Sequence, residues 1–460
     1  MKKFLTLLAI IFFILLTGCS NNSIENNLND IPLQKLSSKE TGIDFSNTIT
    51  PNLETKENLF DYDYFYNGSG VGIADINNDG LKDVFFTSNQ TRNKLYLNKG
   101  ELKFEDITEK SNINQNKGWS SGITFADVNN DGWLDIYISQ GGPFNQTKRK
   151  NTLLINNKDL TFTENASKYG LDDQGISTQS AFFDFDKDGD LDCVVMNENE
   201  FYGYDPLTFF KNFENQSLLR RNSSQLYEQV DGKFVNITEK AGLLSPTFGL
   251  GLCISDINND GWQDIYIAND YYVKDAMYIN NQDGTFSNKI KESTKQISFY
   301  GMGVDIEDIN GDNLSDIFVL DMASSDHVRS KTLMASMNTS NFDLITNKLD
   351  QHYQYMFNSL QLNMGNNKYH NISHQLNIAK TDWSWAGLIF DYNLDGNEDI
   401  FVTNGYRKYG SDNDSRIKIN QTRKEYNNTV PISMKKETVR WTSFREASKS
   451  SLQKWRQFNL

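Results

Sequence analysis

The chain has 460 residues, 38% hydrophobic and 13% aromatic, with a formal charge of −15. That is enough apolar material for a large core, and the length admits either one large all-β unit or two to three domains. The negative charge disfavours nucleic acid or an anionic surface as a partner.

Residues 1–18, MKKFLTLLAIIFFILLTG, carry Lys2 and Lys3, then an apolar run, then small residues before Cys19. This order is that of a secretory signal, and the run is short for a membrane span. The segment LLTGC resembles the lipobox of bacterial lipoproteins, which implies cleavage before Cys19 and lipid attachment to its sulfur. Residues 19–38 then read as the lipidated cysteine and a polar tether. Residues 39–410 form the folded body, and 411–460 a basic, polar tail. Cys193 and Cys253 both sit in apolar runs, so free buried thiols are expected there rather than a disulfide.

Within the body one nine-residue motif recurs six times: DINNDGLKD (75–83), DVNNDGWLD (127–135), DFDKDGDLD (184–192), DINNDGWQD (256–264), DINGDNLSD (308–316) and DYNLDGNED (391–399). A hairpin turn needs only one or two such residues and makes no demand on its fifth and ninth positions. A hard cation does, because several oxygens must converge from alternate side chains of a curled loop. The expected metal ligands are therefore Asp75, Asn77, Asp79 and Asp83; Asp127, Asn129, Asp131 and Asp135; Asp184, Asp186, Asp188 and Asp192; Asp256, Asn258, Asp260 and Asp264; Asp308, Asn310, Asp312 and Asp316; and Asp391, Asn393, Asp395 and Asp399. Position seven offers a backbone carbonyl, and position six must turn sharply, hence glycine in five copies and Asn313 in the other. The motif resembles the first half of an EF-hand loop without its Glu at position twelve. An all-oxygen donor set in a flexible loop selects Ca²⁺, so up to six calcium ions are expected. Six divalent ions would offset most of the formal charge.

Each loop is followed by a strand such as DVFFT or DIYIS, rich in aromatic and β-branched residues. Two further strands echo in 95–113, 153–171 and 226–243. Strand, loop, strand, strand, strand is a propeller blade, so the fold expected is an all-β propeller of six four-stranded blades, with seven blades or an incomplete ring as the alternatives. Five residues before each loop stand Gly70, Gly122, Gln179, Gly251, Gly303 and Ala386, mostly small residues suited to a crowded innermost strand. Residues 32–43, PLQKLSSKETGI, match the fourth-strand segment, with Leu33 and Leu36 in the places of Phe104 and Ile107. The sixth repeat lacks an obvious third strand, and TVRWTSF (438–444) is the segment that would serve.

These loops, with YQYMFNSLQLNMG (353–365) and TDWSWAGLIFDYNLDG (381–396), resemble the FG-GAP/VCBS-repeat lipoproteins of Gram-negative bacteria, relatives of the cartilage acidic protein and ASPIC/UnbV group. The calcium loops are similar to those of the integrin α-chain propeller. The resemblance spans roughly residues 40 to 410 and implies a calcium propeller, lipid-anchored at the outer membrane on either its surface or periplasmic side.

Blade geometry puts the loops on one pole and two long insertions, 197–224 and 321–358, on the other. The first holds Phe201, Tyr202, Tyr204 and Phe209, the second Met322, Met334, Met337, Tyr353 and Tyr355, and Trp119, Trp383 and Trp385 are expected just before inner strands on the same side. Such aromatics suit sugar rings or peptide side chains, or else cap the core. The expected function is a non-enzymatic, calcium-stabilised envelope module that binds glycan or protein through this pole, with no nucleic acid partner. The alternatives are a calcium-assisted polysaccharide lyase or a structural subunit of an outer-membrane assembly. For a lyase only His327 and His352 would serve as base, since His370 and His374 fall in a fourth-strand echo.

Overall fold

The computed structural model describes residues 34–52, 55, 57–58, 62–114, 118–143, 149–201, 203–332 and 339–405. The leader, Cys19, most of the tether, the 411–460 tail and the 438–444 segment lie outside the described residues, as do Leu33, Tyr202, Met334 and Met337. Among the described residues no helix is long and apolar enough to cross a membrane.

The fold is a six-bladed β-propeller of antiparallel strands. In blade 1 the strands are Val71–Ala74, Asp83–Phe86, Lys94–Asn98 and Phe104–Asp106, hydrogen-bonded in chain order from the inside outward. Blade 2 comprises Trp119–Ala126, Asp135–Gly141, Thr152–Asn156 and Phe162–Glu164; blade 3, Ser177–Phe183, Asp192–Asn197, Gln225–Val230 and Lys233–Asn236. Blade 4 comprises Gly249–Ser255, Asp264–Asn269, Ala276–Asn280 and Phe286–Asn288; blade 5, Val304–Glu307, Asp316–Val319, Ser359–Asn363 and Tyr369–Asn371. In blade 6 the inner strand Asp382–Phe390 pairs with Asp399–Asn404, and Met322–Ala323 from the second insertion pairs with Trp383 and Asp382.

The core lies between blades, because each strand alternates its side chains toward the blade before and the blade after. Phe85, Leu95 and Ile107 meet Ile136, Ile138 and Leu154 between blades 1 and 2. Tyr266 and Met277 meet Ile317 and Val319 between blades 4 and 5. The small inner-strand residues have a sharper reason than a narrow channel: a Cβ at Gly70 would run into the Ser121 carbonyl, one at Gly122 into Thr178, and one at Gly303 into Trp385. Adjacent inner strands thus touch backbone to backbone. Gln179, in blade 3, is the exception, and there Thr178 Oγ1 donates to the Gly249 carbonyl instead, at 2.9 Å.

After the outer strand, a helical turn and then a glycine lean on the next blade. A Cβ at Gly170 would strike the Phe234 carbonyl, and one at Gly242 that of Phe286. Near the N-terminus, the helix Ser38–Thr41 and Gly42 meet the Phe104 carbonyl of blade 1 in the same way. The 32–43 match therefore holds at the helical turn and glycine of 38–42, while residues 34–37 form no strand.

Candidate metal loops and the opposite pole

All six nine-residue motifs connect an inner strand to its second strand. Each loop is closed by the same bonds. The first Asp accepts the N–H of position six: Gly80 to Asp75 at 2.8 Å, Gly132 to Asp127 at 2.7 Å, Gly189 to Asp184 at 3.1 Å, Gly261 to Asp256 at 2.7 Å, Asn313 to Asp308 at 2.6 Å and Gly396 to Asp391 at 2.7 Å. Position three accepts from the N–H of position five, and position five from that of position seven, as in Asn258 with Asp260 and Asp260 with Trp262. Position six has φ from 64° at Asn313 to 98° at Gly189, as expected. Position four is left-handed as well, from 55° at Asn130 to 75° at Gly311, which the sequence reading missed because Asn, Lys, Gly and Leu all occur there.

These turns aim the side chains of positions one, three and five inward. In the third loop carboxylate oxygens of Asp184, Asp186 and Asp188 lie within 4.8 Å of one another, and Asp184 Oδ1 is buried with no hydrogen-bond partner. An ionised carboxylate has about four lone-pair sites, so each internal bond leaves acceptor capacity toward the loop centre. The donor set, all oxygen and mostly anionic, fits a hard divalent cation. Neighbouring loops also touch. Asn78 donates to the Gly132 carbonyl at 3.0 Å, Asn259 donates to that of Asn313 at 2.6 Å, and the Lys187 ammonium lies 4.3 Å from the Trp262 ring centre.

The Asp at position nine has a second duty. In blades 1 to 5 it is buried, and one oxygen accepts the N–H of position two while the other accepts the N–H that ends the third strand. In blade 4 these are Ile257 at 2.9 Å and Asn280 at 2.7 Å. Asn98, Asn156, Gln229 and Asn363 make the equivalent bond to Asp83, Asp135, Asp192 and Asp316. Burial, partly offset by these bonds, pushes Asp135 up to about 6 and Asp192 and Asp264 up to about 7. Position five goes the other way in the first loop: the Asn77 amide and the Leu81 N–H hold Asp79 below the usual range.

A matching latch closes the opposite pole. The residue just before the third strand accepts the N–H at the end of the second: Asn93 from Ser88 at 2.8 Å, Asn151 from Gln140 at 2.7 Å, Asp275 from Asn269 at 2.9 Å and Asn358 from Asp321 at 2.8 Å. In blade 3 Ser224 accepts from Asn197 at 3.2 Å. Asn, Ser or Asp two residues before Leu or Met is the signal of this latch in the sequence.

On that pole most of the insertion aromatics turn inward. Phe209 is fully buried against Phe248, Phe213 and Tyr272, and Phe201 packs on Tyr204 and Phe213. Trp119 and Trp383 are buried, and with Trp385 they lie within the inner strands rather than before them. Tyr204 and Tyr353 stay exposed. Cys193 is a buried free thiol and Cys253 a half-buried one. His352 is buried, with its ring nitrogen 3.1 Å from Thr294 Oγ1; burial, then Lys291 and Lys274, lower its pKa to about 4. His327 is exposed at the start of a short helix, and His370 lies in the outer strand of blade 5.

Both insertions contribute to one cavity of about 350 Å³ beside blade 4. Phe210, Phe213 and Leu219 of the first line one wall, Gln351 of the second another, and Lys274 and Ser245 supply polar groups. Lys274 is half-buried, and burial lowers its pKa.

The FG-GAP-like repeat family matches residues 75–138 and 256–319, which run from the first loop through the second and from the fourth loop through the fifth, with the strands between them. Cartilage acidic protein 1 of Xenopus tropicalis is 30% identical over 131 residues, 28% of this chain and 20% of that protein, so the chain spans about a fifth of the length of the curated relative it matches. Among solved structures, one of an Agrocybe aegerita lectin recognising non-reducing terminal N-acetylglucosamine is 15% identical, with 72% of this chain and 73% of that chain covered at a TM-score of 0.37. The rhamnogalacturonan lyase YesW is 9% identical, with 73% and 55% covered at 0.36. Likenesses this distant carry no argument about activity.

Proposed function

Starting from the chain as an FG-GAP-repeat protein, we propose that it is a non-enzymatic, calcium-stabilised binding module of the cell envelope, with ligand taken at the pole opposite its loops. The observation that carries this reading is the division of labour between the poles. One pole repeats a single acidic turn six times, and the other gathers two unrelated insertions around one cavity. Repetition suits a structural staple, whereas irregular loops on a rigid scaffold suit recognition.

In each loop the residues at positions one, three, five and nine would hold Ca²⁺, which supplies positive charge to a knot of carboxylates. The chain's own residues fix the turn and tie it to the third strand. His352, buried and engaged with Thr294, is better suited to holding the second insertion than to taking a proton from a substrate. The ligand would be a glycan or protein segment that sets an apolar face on Phe210 and Phe213 and polar groups toward Lys274 and Ser245. Anchoring through lipid on Cys19 would hold the module at the outer membrane.

Thermal unfolding in excess EDTA and then across a Ca²⁺ titration tests the staple. Each site filled at 10 to 100 times its Kd adds about 1–3 kcal/mol, so the melting temperature should climb steeply. A melt indifferent to Ca²⁺ would sink the metal reading. A glycan and peptide panel, read by saturable binding with and without Phe213→Ala, tests the recognition pole. Turnover of an acidic polysaccharide, lost in His352→Ala, would replace the module with an enzyme. Loss of membrane association in Cys19→Ala, under expression in a bacterial host, tests the anchor.

A further inference from the structure

Blade 6 is where the repeat is broken. In blades 1 to 5 the position-nine Asp accepts the N–H that ends the third strand. Asp399 accepts none from a third strand among the described residues, and its Oδ2 is buried with no partner. Among the described residues, the outer edge of Asp399–Asn404 therefore pairs with no further strand.

The third strands share a pattern that the latches explain. A short polar residue comes first, then any residue, Leu or Met, any residue, a fifth position that is apolar except at Glu228, and a closing Asn or Gln. The five copies are NKLYLN (93–98), NTLLIN (151–156), SQLYEQ (224–229), DAMYIN (275–280) and NSLQLN (358–363). After Asn404 the same pattern returns in SRIKIN, 415–420, with Ile417 in the place of Leu or Met and Asn420 closing. Asn420 follows Asp399 by 21 residues, as Asn156 follows Asp135 in blade 2. Six residues after Asn420 stands Tyr426, as Phe162 stands six after Asn156 and Tyr369 six after Asn363. Tyr426 and Asn428 then reproduce Tyr369 and Asn371 of blade 5. The 438–444 segment has neither the opening latch nor the closing Asn.

We propose that residues 415–420 dock on the open edge of Asp399–Asn404 as the third strand of blade 6, with Tyr426 opening the fourth. The Asn420 N–H then reaches Asp399, so the tail completes the sixth metal loop. The register follows from the other blades, where Phe85 pairs with Leu95, Tyr137 with Leu153 and Phe318 with Leu360. Phe401 therefore pairs with Ile417, and Ile400 with Lys418.

Double-cysteine variants of the full chain test this under mild oxidation. Paired residues in an antiparallel ladder lie about 4.5–5.5 Å apart at Cα, within disulfide reach. Phe401→Cys with Ile417→Cys should close within one chain about 10-fold faster than Phe401→Cys with Lys418→Cys, because a one-residue slip points the side chain to the other face. Faster closure of Phe401→Cys with Trp441→Cys, closure only between two chains, or equal rates at 417 and 418 would each overturn the proposal. In the unsubstituted chain, amide exchange at 416–420 should be slowed about 100-fold relative to residues 406–411. Unprotected amides there overturn it independently of any variant.

Discussion

Blades 5 and 6 begin alike and end differently. Both have an inner strand, an acidic loop and a second strand opening on Asp-Ile-Phe-Val, 316–319 and 399–402. In blade 5 that strand is buried throughout, and Phe318 is 0% exposed; in blade 6 Phe401, at the same place, is 43% exposed. The same four residues are core in one blade and surface in the other. Burial here is conferred by the third strand and the following blade, not by the strand's own composition.

The largest effect that would break this comparison is a pair of truncations. Phe318→Ala should cost about 3–5 kcal/mol, the range for emptying a buried aromatic site. Phe401→Ala, removing a half-exposed ring, should cost about 1 kcal/mol or less. Denaturant unfolding of both variants under the same Ca²⁺ concentration gives the two numbers. Equal costs would mean that blade 6 is as well packed as blade 5.

That pair also shows what the sequence could and could not reveal. The loops were legible because an acidic turn closed by the same side-chain bonds in every copy fixes residue types at set spacings. The four-strand blade was legible from alternation around each loop. Burial at Phe401 was not, since DIFV reads the same in both places. The segment proposed as the third strand of blade 6 is harder to read for a related reason. TVRWTSF has higher β propensity than SRIKIN, and propensity is a weak guide beside the Asp and Asn latches that the structure shows. For the aromatics of the opposite pole the sequence left two uses open, ligand contact or core, and Phe209 and Trp119 take the second.

A second test turns on position nine. Asp264→Ala leaves the N–H groups of Ile257 and Asn280 buried without acceptors, at about 1–3 kcal/mol each. Measured in EDTA, so that no metal contributes, the loss should be about 2–5 kcal/mol. Among the described residues no N–H reaches the Asp399 carboxylate, and with the one that Asn420 would bring, Asp399→Ala should cost about 1–2 kcal/mol. That cost should disappear in a chain already carrying Ile417→Asp and Ile419→Asp, because the two changes act through one contact. Strict additivity would sever Asp399 from the tail.

The smallest effect separates the far ends of the blades by pH. At the position preceding the third strand, blades 1, 2 and 5 use Asn93, Asn151 and Asn358, whereas blade 4 uses Asp275. Burial pushes Asp275 up to about 7, even though the Asn269 N–H and the Tyr266 hydroxyl both donate to it. Its folded pKa lies above that of an unfolded aspartate, so the folded state holds the proton more tightly. The stability this contributes is fully present below the unfolded pKa and is lost as pH rises through about 7. Between pH 5 and 7 the slope from this one group is up to about 1.4 kcal/mol per pH unit. Asp275→Asn should remove that slope without loosening the latch, since in blade 2 the Asn151 amide donates to the Tyr137 hydroxyl at 3.0 Å where Asp275 accepts from Tyr266. Melting curves from pH 5 to 8 should therefore converge for the two chains at low pH and separate at high pH. Asp275→Asn should be the more stable at pH 8, by up to about 2–3 kcal/mol. Curves that stay parallel across the range would mean that Asp275 is ionised throughout, and that blade 4 tolerates a buried charge where three other blades place an amide.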